Sequence, residues 1–229
     1  MKKLSYLLIL SGLVSVPAIA ADSPHSVTGN LGLTSDYAFR GVSQTKEDPA
    51  VQGGFDYAHS SGFYAGTWAS NVLGYTDASM EWDFYAGYEG KISEDLSYNV
   101  GLLQYYYPGN SIDADTLEAY AGVTWKWFNA KISYQLSDNW FGGAADAEGS
   151  TYMEANAEFD IGAGFTLGLH YGSTNITGAN SAGFDYKDWK VGVSKELGGF
   201  DLGLAYVDTD IKNSAIADGR VIFSIGKTF

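Results

Sequence analysis

The 229-residue sequence has no cysteine, four prolines, three histidines and only 13 lysine and arginine residues. Without cysteine there are no disulfides and no thiolate metal sites. Thirteen basic residues face 27 acidic ones, a formal charge of −14. The chain therefore lacks the cationic surface that nucleic acid or anionic lipid requires of a partner. Acidity of this size fits a cation-favouring interior, divalent ions bound outside, or plain solubility. No apolar run of helix-spanning length follows the N-terminus, so no transmembrane helix is expected. A mean hydropathy of −0.11 does not argue against a β-barrel, in which only alternate residues meet lipid.

What is abundant is glycine, with 29 residues, and aromatic side chains, with 6 Trp, 17 Tyr and 12 Phe. Aromatic residues favour strands and membrane interfaces, and glycine permits turns and tight curvature. Residues 1–20 have the pattern of a secretory signal peptide: Lys2 and Lys3, an apolar run over 4–16, and Ala18-Ile19-Ala20, with cleavage expected after Ala20. The run is shorter than the ~20 residues of a spanning helix. Residues 21–229 suit one domain. Loss of Lys2 and Lys3 leaves 11 basic residues against 27 acidic ones, a charge of −16.

Period-2 alternation predicts about twelve strands, at 27–40, 49–58, 63–72, 80–90, 97–107, 116–126, 127–137, 151–161, 165–173, 184–197, 200–208 and 219–229. One face is apolar in most of them. Val27, Leu31, Leu33, Tyr37 and Phe39 share a face in the first, opposite Asn30, Asp36 and Arg40. Leu117, Ala119, Val123 and Trp125 oppose Glu118, Tyr120 and Lys126 in the sixth. The pattern does not assign faces at 63–72, and the register at 97–107 is open. Short connections near 60–62, 91–96, 126–127, 162–164 and 198–199 alternate with long ones near 41–48, 73–79, 108–115, 138–150, 174–183 and 209–218. Two loop classes in rotation are the habit of an outer-membrane barrel. The closing segment ends on Phe229, the expected assembly signal, and should pair with the first strand.

Several stretches also resemble the TorF-like family of outer-membrane porins, a proteobacterial family of otherwise unknown function. They are LTSDYAFRGVSQT at 33–45, the run 49–72, EWDFYAGYEG at 81–90, YYYPG at 105–109, DWKVGVS at 188–194, AYVDTD at 205–210 and the segment 223–229. The resemblance covers nearly all of residues 21–229 and implies a barrel in the outer membrane. It implies no catalytic residues. The stretch 138–182 matches least. Lys227 departs from the aromatic or aliphatic residue usual two places before a terminal Phe.

Parity places Asp36, Asp56, Glu81, Asp83, Glu89, Glu118, Glu154, Glu158, Asp160 and Asp188 on the inner face, against Arg40, Lys126, Lys131, Lys190 and Arg220. Twelve strands lie between an eight-stranded barrel filled by side chains and a sixteen-stranded one with an open channel. The charges therefore either line a narrow aqueous pore or pair and fill it. His170 is read as a lumen residue, because no His–Ser pair with a polar orienter is found and no enzyme is expected. The pairs Asp113/Asp115 and Asp208/Asp210 are read as solvated loop acids rather than cation sites. Trp82, Tyr106, Trp125 and Trp189 are candidate interface anchors.

The sequence thus predicts an all-β, closed antiparallel up-and-down transmembrane barrel without cofactor or metal. It is expected to act as a porin passing small neutral or cationic solutes. A substrate-specific channel of nucleoside type, a surface-binding barrel with a closed lumen and a lipid-modifying enzyme are the alternatives, in that order. The expected partners are outer-membrane lipid, the barrel-assembly machinery and the solutes, with no nucleic acid.

Overall fold

The computed structural model describes residues 23–73, 77–178 and 185–229. The expected signal peptide, part of the 73–79 loop, and residues 179–184, including the expected start of the tenth strand, lie outside them. Twelve strands close into one antiparallel ring. They are β1 (His25–Thr34), β2 (Ala50–His59), β3 (Phe63–Asn71), β4 (Met80–Lys91), β5 (Leu96–Tyr106), β6 (Thr116–Trp125), β7 (Phe128–Gln135), β8 (Thr151–Gly162), β9 (Phe165–Asn175), β10 (Tyr186–Leu197), β11 (Phe200–Thr209) and β12 (Arg220–Thr228). Each pairs with its neighbours in the chain, and β12 pairs with β1 over 30–34 and 224–228. Reciprocal backbone bonds of 2.8 and 2.9 Å between Gly29 and Phe229 extend that seam. Closure leaves no strand edge unpaired, which a sheet in lipid requires.

The burial pattern inverts that of a soluble domain. Val27, Val51, Phe55, Leu102, Ile132, Met153, Leu204 and Phe223 are exposed, while Gln52, Asp56, Glu81, Glu118, Gln135 and Asp188 are buried. Large apolar side chains turned outward around the ring, with carboxylates inside, need an apolar surrounding and a polar interior. Aromatic residues gather at both ends of the outer face. Trp82 and Tyr106 are cross-strand partners, as are Tyr171 and Trp189, at the long-loop end. Trp125, Phe165, Phe200 and Phe229 lie at the other end. The four predicted anchors fall in these two belts. Lys227 lies 5.1 Å over the Phe200 ring, beside Lys195 over Phe165 at 4.4 Å. It is an interface cation whose stem covers an aromatic face.

The alternating loop lengths hold. The turns 60–62, 92–95, 126–127, 163–164 and 198–199 share one end. The two-residue turns reverse through left-handed residues, with φ of 55° at Lys126 and 63° and 81° at Gly198 and Gly199. Lys126 is therefore not an inner-wall residue. It sits exposed in its turn, 3.2 Å from Asp95. The faces at 63–71 are now set: Tyr64, Trp68 and Ser70 point in, and Phe63 points out. In β5 Tyr105 points in and Tyr106 out.

Two long connections depart from the expectation of plain outer loops. The first strand stops at Thr34 rather than Arg40, and 35–49 folds into the mouth of the barrel around a small ribbon, 38–39 against 42–43. Tyr37 and Phe39 consequently do not share the outer face of β1. The cause is local: Asp36 is captured by Ser43 Oγ at 2.5 Å and Thr45 Oγ1 at 3.0 Å. Arg40 and Gly41 then turn the chain back through positive φ. The segment 136–150 enters beside it with a second ribbon, 139–140 against 144–145. Trp140, Phe141, Ala144 and Ala147 from this segment pack with Tyr105, Tyr107, Ala114, Val72 and Ile176, and Tyr37 and Phe39 lie against them. The apolar core of the molecule is thus a plug inside the long-loop half of a polar barrel.

Candidate functional site

The interior divides into two levels. At the long-loop end the inner wall is sealed: Glu81, Glu118, Thr116, Gln135, Tyr152, Thr174 and Asp188 are all buried. At the short-turn end Asn99, Tyr120, Asn129, Glu158 and Thr166 keep intermediate exposure.

Three polar pins hold the 35–49 segment in the sealed half. The Arg40 Nη2 donates to both Glu118 oxygens, at 2.8 and 2.7 Å, and both side chains are buried. The Arg40 guanidinium lies 4.3 Å from the Tyr152 ring centre, 4.7 Å from Phe39 and 5.4 Å from Trp140. Burial works against that charge, but Glu118 outweighs it and keeps the Arg40 pKa above its ordinary value. Asp36 pairs with Arg220 Nε at 2.5 Å, and Arg220 Nη1 also donates to the Gly41 carbonyl at 3.1 Å. The Tyr37 hydroxyl donates to Glu81 at 2.7 Å, and Tyr107 donates to its other oxygen at 2.9 Å. A buried charge left without such partners costs several kcal/mol. The plug is therefore fixed by charge as well as by its apolar contacts.

Asp83 is buried beside these groups, and its Oδ1 has no hydrogen-bond partner among the described residues. Asp56 accepts from Tyr85 and, at 3.5 Å, from Asn30. Tyr85 reaches Asp56 by crossing Gly66, where a Cβ would sit 2.4 Å from the Tyr85 ring. Glycine is required there because another strand's ring lies on its backbone. Tyr64 and Tyr120 meet in the same way, above Gly87 and Gly101.

On the opposite wall, Lys131 Nζ is 2.8 Å from Glu154. His170 Nε2 lies 2.8 Å from Asp188 and its Nδ1 lies 2.7 Å from the Asn156 carbonyl oxygen. The Tyr152 hydroxyl donates to Asp188 at 3.1 Å. His170 is thus one member of a wall network, and the hydroxyl beside it, Tyr152 Oη at 3.0 Å, is itself bonded to Asp188. Lys190 is on the same wall, within electrostatic reach of Glu154, Glu158 and Asp188. Glu158 is half-buried and in no ion pair among the described residues, and Asp160 is exposed at the short-turn rim, accepting from Gly162 N at 2.9 Å.

The loop acids have structural tasks. Asp115 accepts from Tyr107 N at 2.9 Å and Asp210 from Lys187 N at 2.7 Å. Asp77 accepts from Ser111 N at 2.9 Å. The Ser111 hydroxyl and N–H hold the Asp77 carboxyl below its usual value.

Strand parity brought Asp56, Glu81, Asp83, Glu118, Lys131, Glu154, Glu158, His170, Asp188, Lys190 and Arg220 to one interior. Asp36 and Arg40 join it by a different route, from an inserted loop. Parity missed Trp140 and Phe141, which lie in a Gly/Ala-rich stretch without alternation. Two adjacent aromatics in an otherwise small-residue loop were the available signal.

Residues 18–229 match the model of a family described as bacterial protein of unknown function (Gcw_chp). The chain belongs to this family. A comparison with curated proteins finds no match. Among solved structures the KdgM porin is 9% identical, with a TM-score of 0.57 over 89% of this chain and 98% of that one. The NanC porin is 11% identical, with the same TM-score and coverage. A further structure is of the KdgM porin in complex with disordered oligogalacturonate, at 8% identity. At such identities the likeness concerns the barrel fold.

Proposed function

We propose that this chain is an outer-membrane porin of the TorF-like type, a narrow channel for small neutral or cationic solutes that rests with its long-loop mouth plugged. The observation that carries this reading is the radial sorting of the ring, with apolar side chains outward between two aromatic belts and carboxylates inward. The fold shared with KdgM and NanC supports it. The charge argues for a different cargo from the oligogalacturonate of the KdgM complex. A polyanion would meet Asp56, Glu81, Asp83 and Glu158, none of which has an ion-pair partner among the described residues. Export by the 1–20 leader, folding by the barrel-assembly machinery and residence in outer-membrane lipid belong to the same reading.

The test is planar-bilayer conductance of the purified, folded protein. We expect small or intermittent currents from the native chain, with a reversal potential in a salt gradient that marks cation preference. An anion preference would refute the charge argument. The plug favours one rival, a surface-binding barrel with a closed lumen. That rival wins if neither the native protein nor a variant with the plug loosened carries current.

A further inference from the structure

The surroundings of Arg40 have the composition of a ligand site. A buried carboxylate, Glu118, faces a guanidinium flanked by the rings of Tyr152, Phe39 and Trp140. Tyr105 Oη also donates to Glu118, at 3.4 Å. Carboxylate plus stacked aromatic faces suits a planar, weakly hydrated cation better than a compact ammonium. Glu118, Tyr105 and Tyr152 belong to the barrel wall, and Trp140 and Phe141 come from the second inserted segment. Only Phe39 and Arg40 belong to the segment that supplies the cation. If 35–49 leaves, the wall keeps the carboxylate with Tyr105 and Tyr152, and the second segment still supplies Trp140 and Phe141.

Arg40 also fills the site incompletely. Both of its bonds to Glu118 run from Nη2, while the buried Nη1 has no hydrogen-bond partner among the described residues. A tethered side chain starting from a backbone at φ 47° reaches the carboxylate end-on. An untethered guanidinium is free to turn side-on and present two nitrogens to two oxygens, the stronger geometry.

We propose that Glu118, Tyr105, Tyr152, Trp140 and Phe141 form a recognition site for guanidinium-bearing solutes, occupied at rest by Arg40 as a built-in competitor. This deepens the channel reading and rests on it: it names the cargo class and makes arrival of that cargo the event that displaces the plug. Sodium has no planar face to stack and does not compete in this way.

Binding of free guanidinium ion to the folded full-length barrel in detergent tests this without any current. Arg40→Ala should bind guanidinium saturably and at least about tenfold more tightly than the native chain, the span of a charge-assisted bond no longer contested. Adding Glu118→Gln to that variant should abolish the binding. Equal affinity in the native and Arg40→Ala chains, or binding that survives Glu118→Gln, would overturn the proposal. Should Arg40→Ala not fold, Gln44→Cys provides a second measurement, because position 44 is buried in the plug and the chain has no other thiol. Millimolar guanidinium should speed maleimide labelling of that thiol several-fold over sodium at equal ionic strength. An unchanged rate would also overturn the proposal. A barrel that binds guanidinium yet never conducts would remove the porin reading alone, and one that conducts without binding it would remove this inference alone.

Discussion

The two halves of the barrel interior are built from the same strands and hold the same kinds of residue, yet they behave as different materials. In the long-loop half Glu118, Glu81 and Asp188 are buried and tied to groups from other parts of the chain. In the short-turn half Glu158 and Asn129 sit on an inner wall that stays partly accessible. The difference comes from the connections. The short turns keep their side chains outside, as Lys126 and Trp127 do, whereas 35–49 and 136–150 bring in Arg40, Tyr37, Trp140 and Phe141. Strand parity alone makes a polar tube, and the inserted segments convert half of it into a protein-like core.

The largest expected effect comes from removing that core. Trp140→Ala and Phe141→Ala together delete two buried aromatic side chains from the plug. Truncations of this kind cost about 3–5 kcal/mol each in a packed core. The twelve-strand ring should survive, because its hydrogen bonds do not pass through the plug. The 136–150 segment should become open to proteolysis, and bilayer conductance should rise above the native level. A double variant as protease-resistant as the native protein would mean that the two halves do not differ in this way.

A matched pair of neutralisations sharpens the contrast. Glu118→Gln leaves the Arg40 charge buried without its counter-ion, and breaking a buried pair from one side costs about 3–5 kcal/mol. Asp56→Asn keeps most of a polar contact with Tyr85 and Asn30, and a hydrogen bond of that kind contributes about 1 kcal/mol net. Urea unfolding of the two variants in one detergent should separate them clearly. Equal midpoints would break the comparison.

The sequence made the short-turn half legible and the long-loop half only partly so. Alternation identified the inner and outer sets on most strands, as in Glu154 against Met153. It carried too far at 35–40, because Tyr37 and Phe39 continue the apolar phase of Leu31 and Leu33 after the strand has ended. What ends it is the capture of Asp36 by Ser43, Thr45 and Arg220, and Arg220 is distant in sequence. The plug was illegible for a related reason. Its apolar residues have no period, and their burial depends on which wall they meet. Face assignment at 63–72 failed because the adjacent Phe63 and Tyr64 compete for the apolar face and Trp68 sits among small residues. Phe63 turns to lipid, whereas Trp68 turns in and meets the Tyr37 ring at 5.3 Å. A residue supplied by the plug was needed to explain it.

The smallest expected effect lies on one strand that runs through both halves. Glu154 and Glu158 stand on the same inner face of β8, and strand parity alone does not distinguish them. The structure distinguishes them: Glu154 is buried, with Lys131 Nζ at 2.8 Å and Asn156 Nδ2 donating at 3.1 Å. Glu158 stands nearer the short-turn end, half-buried and in no ion pair among the described residues. The ammonium in contact with Glu154 offsets most of its field, whereas Glu158, on the accessible wall, feels Lys190 only from beyond ion-pair distance. In a conducting barrel, Glu158→Gln should therefore lower the cation-to-anion permeability ratio, read from the reversal potential, while Glu154→Gln should change it less. The reverse order would mean that ions pass close to Lys131 and the sealed half. The boundary between the two halves would then lie on the short-turn side of Glu154.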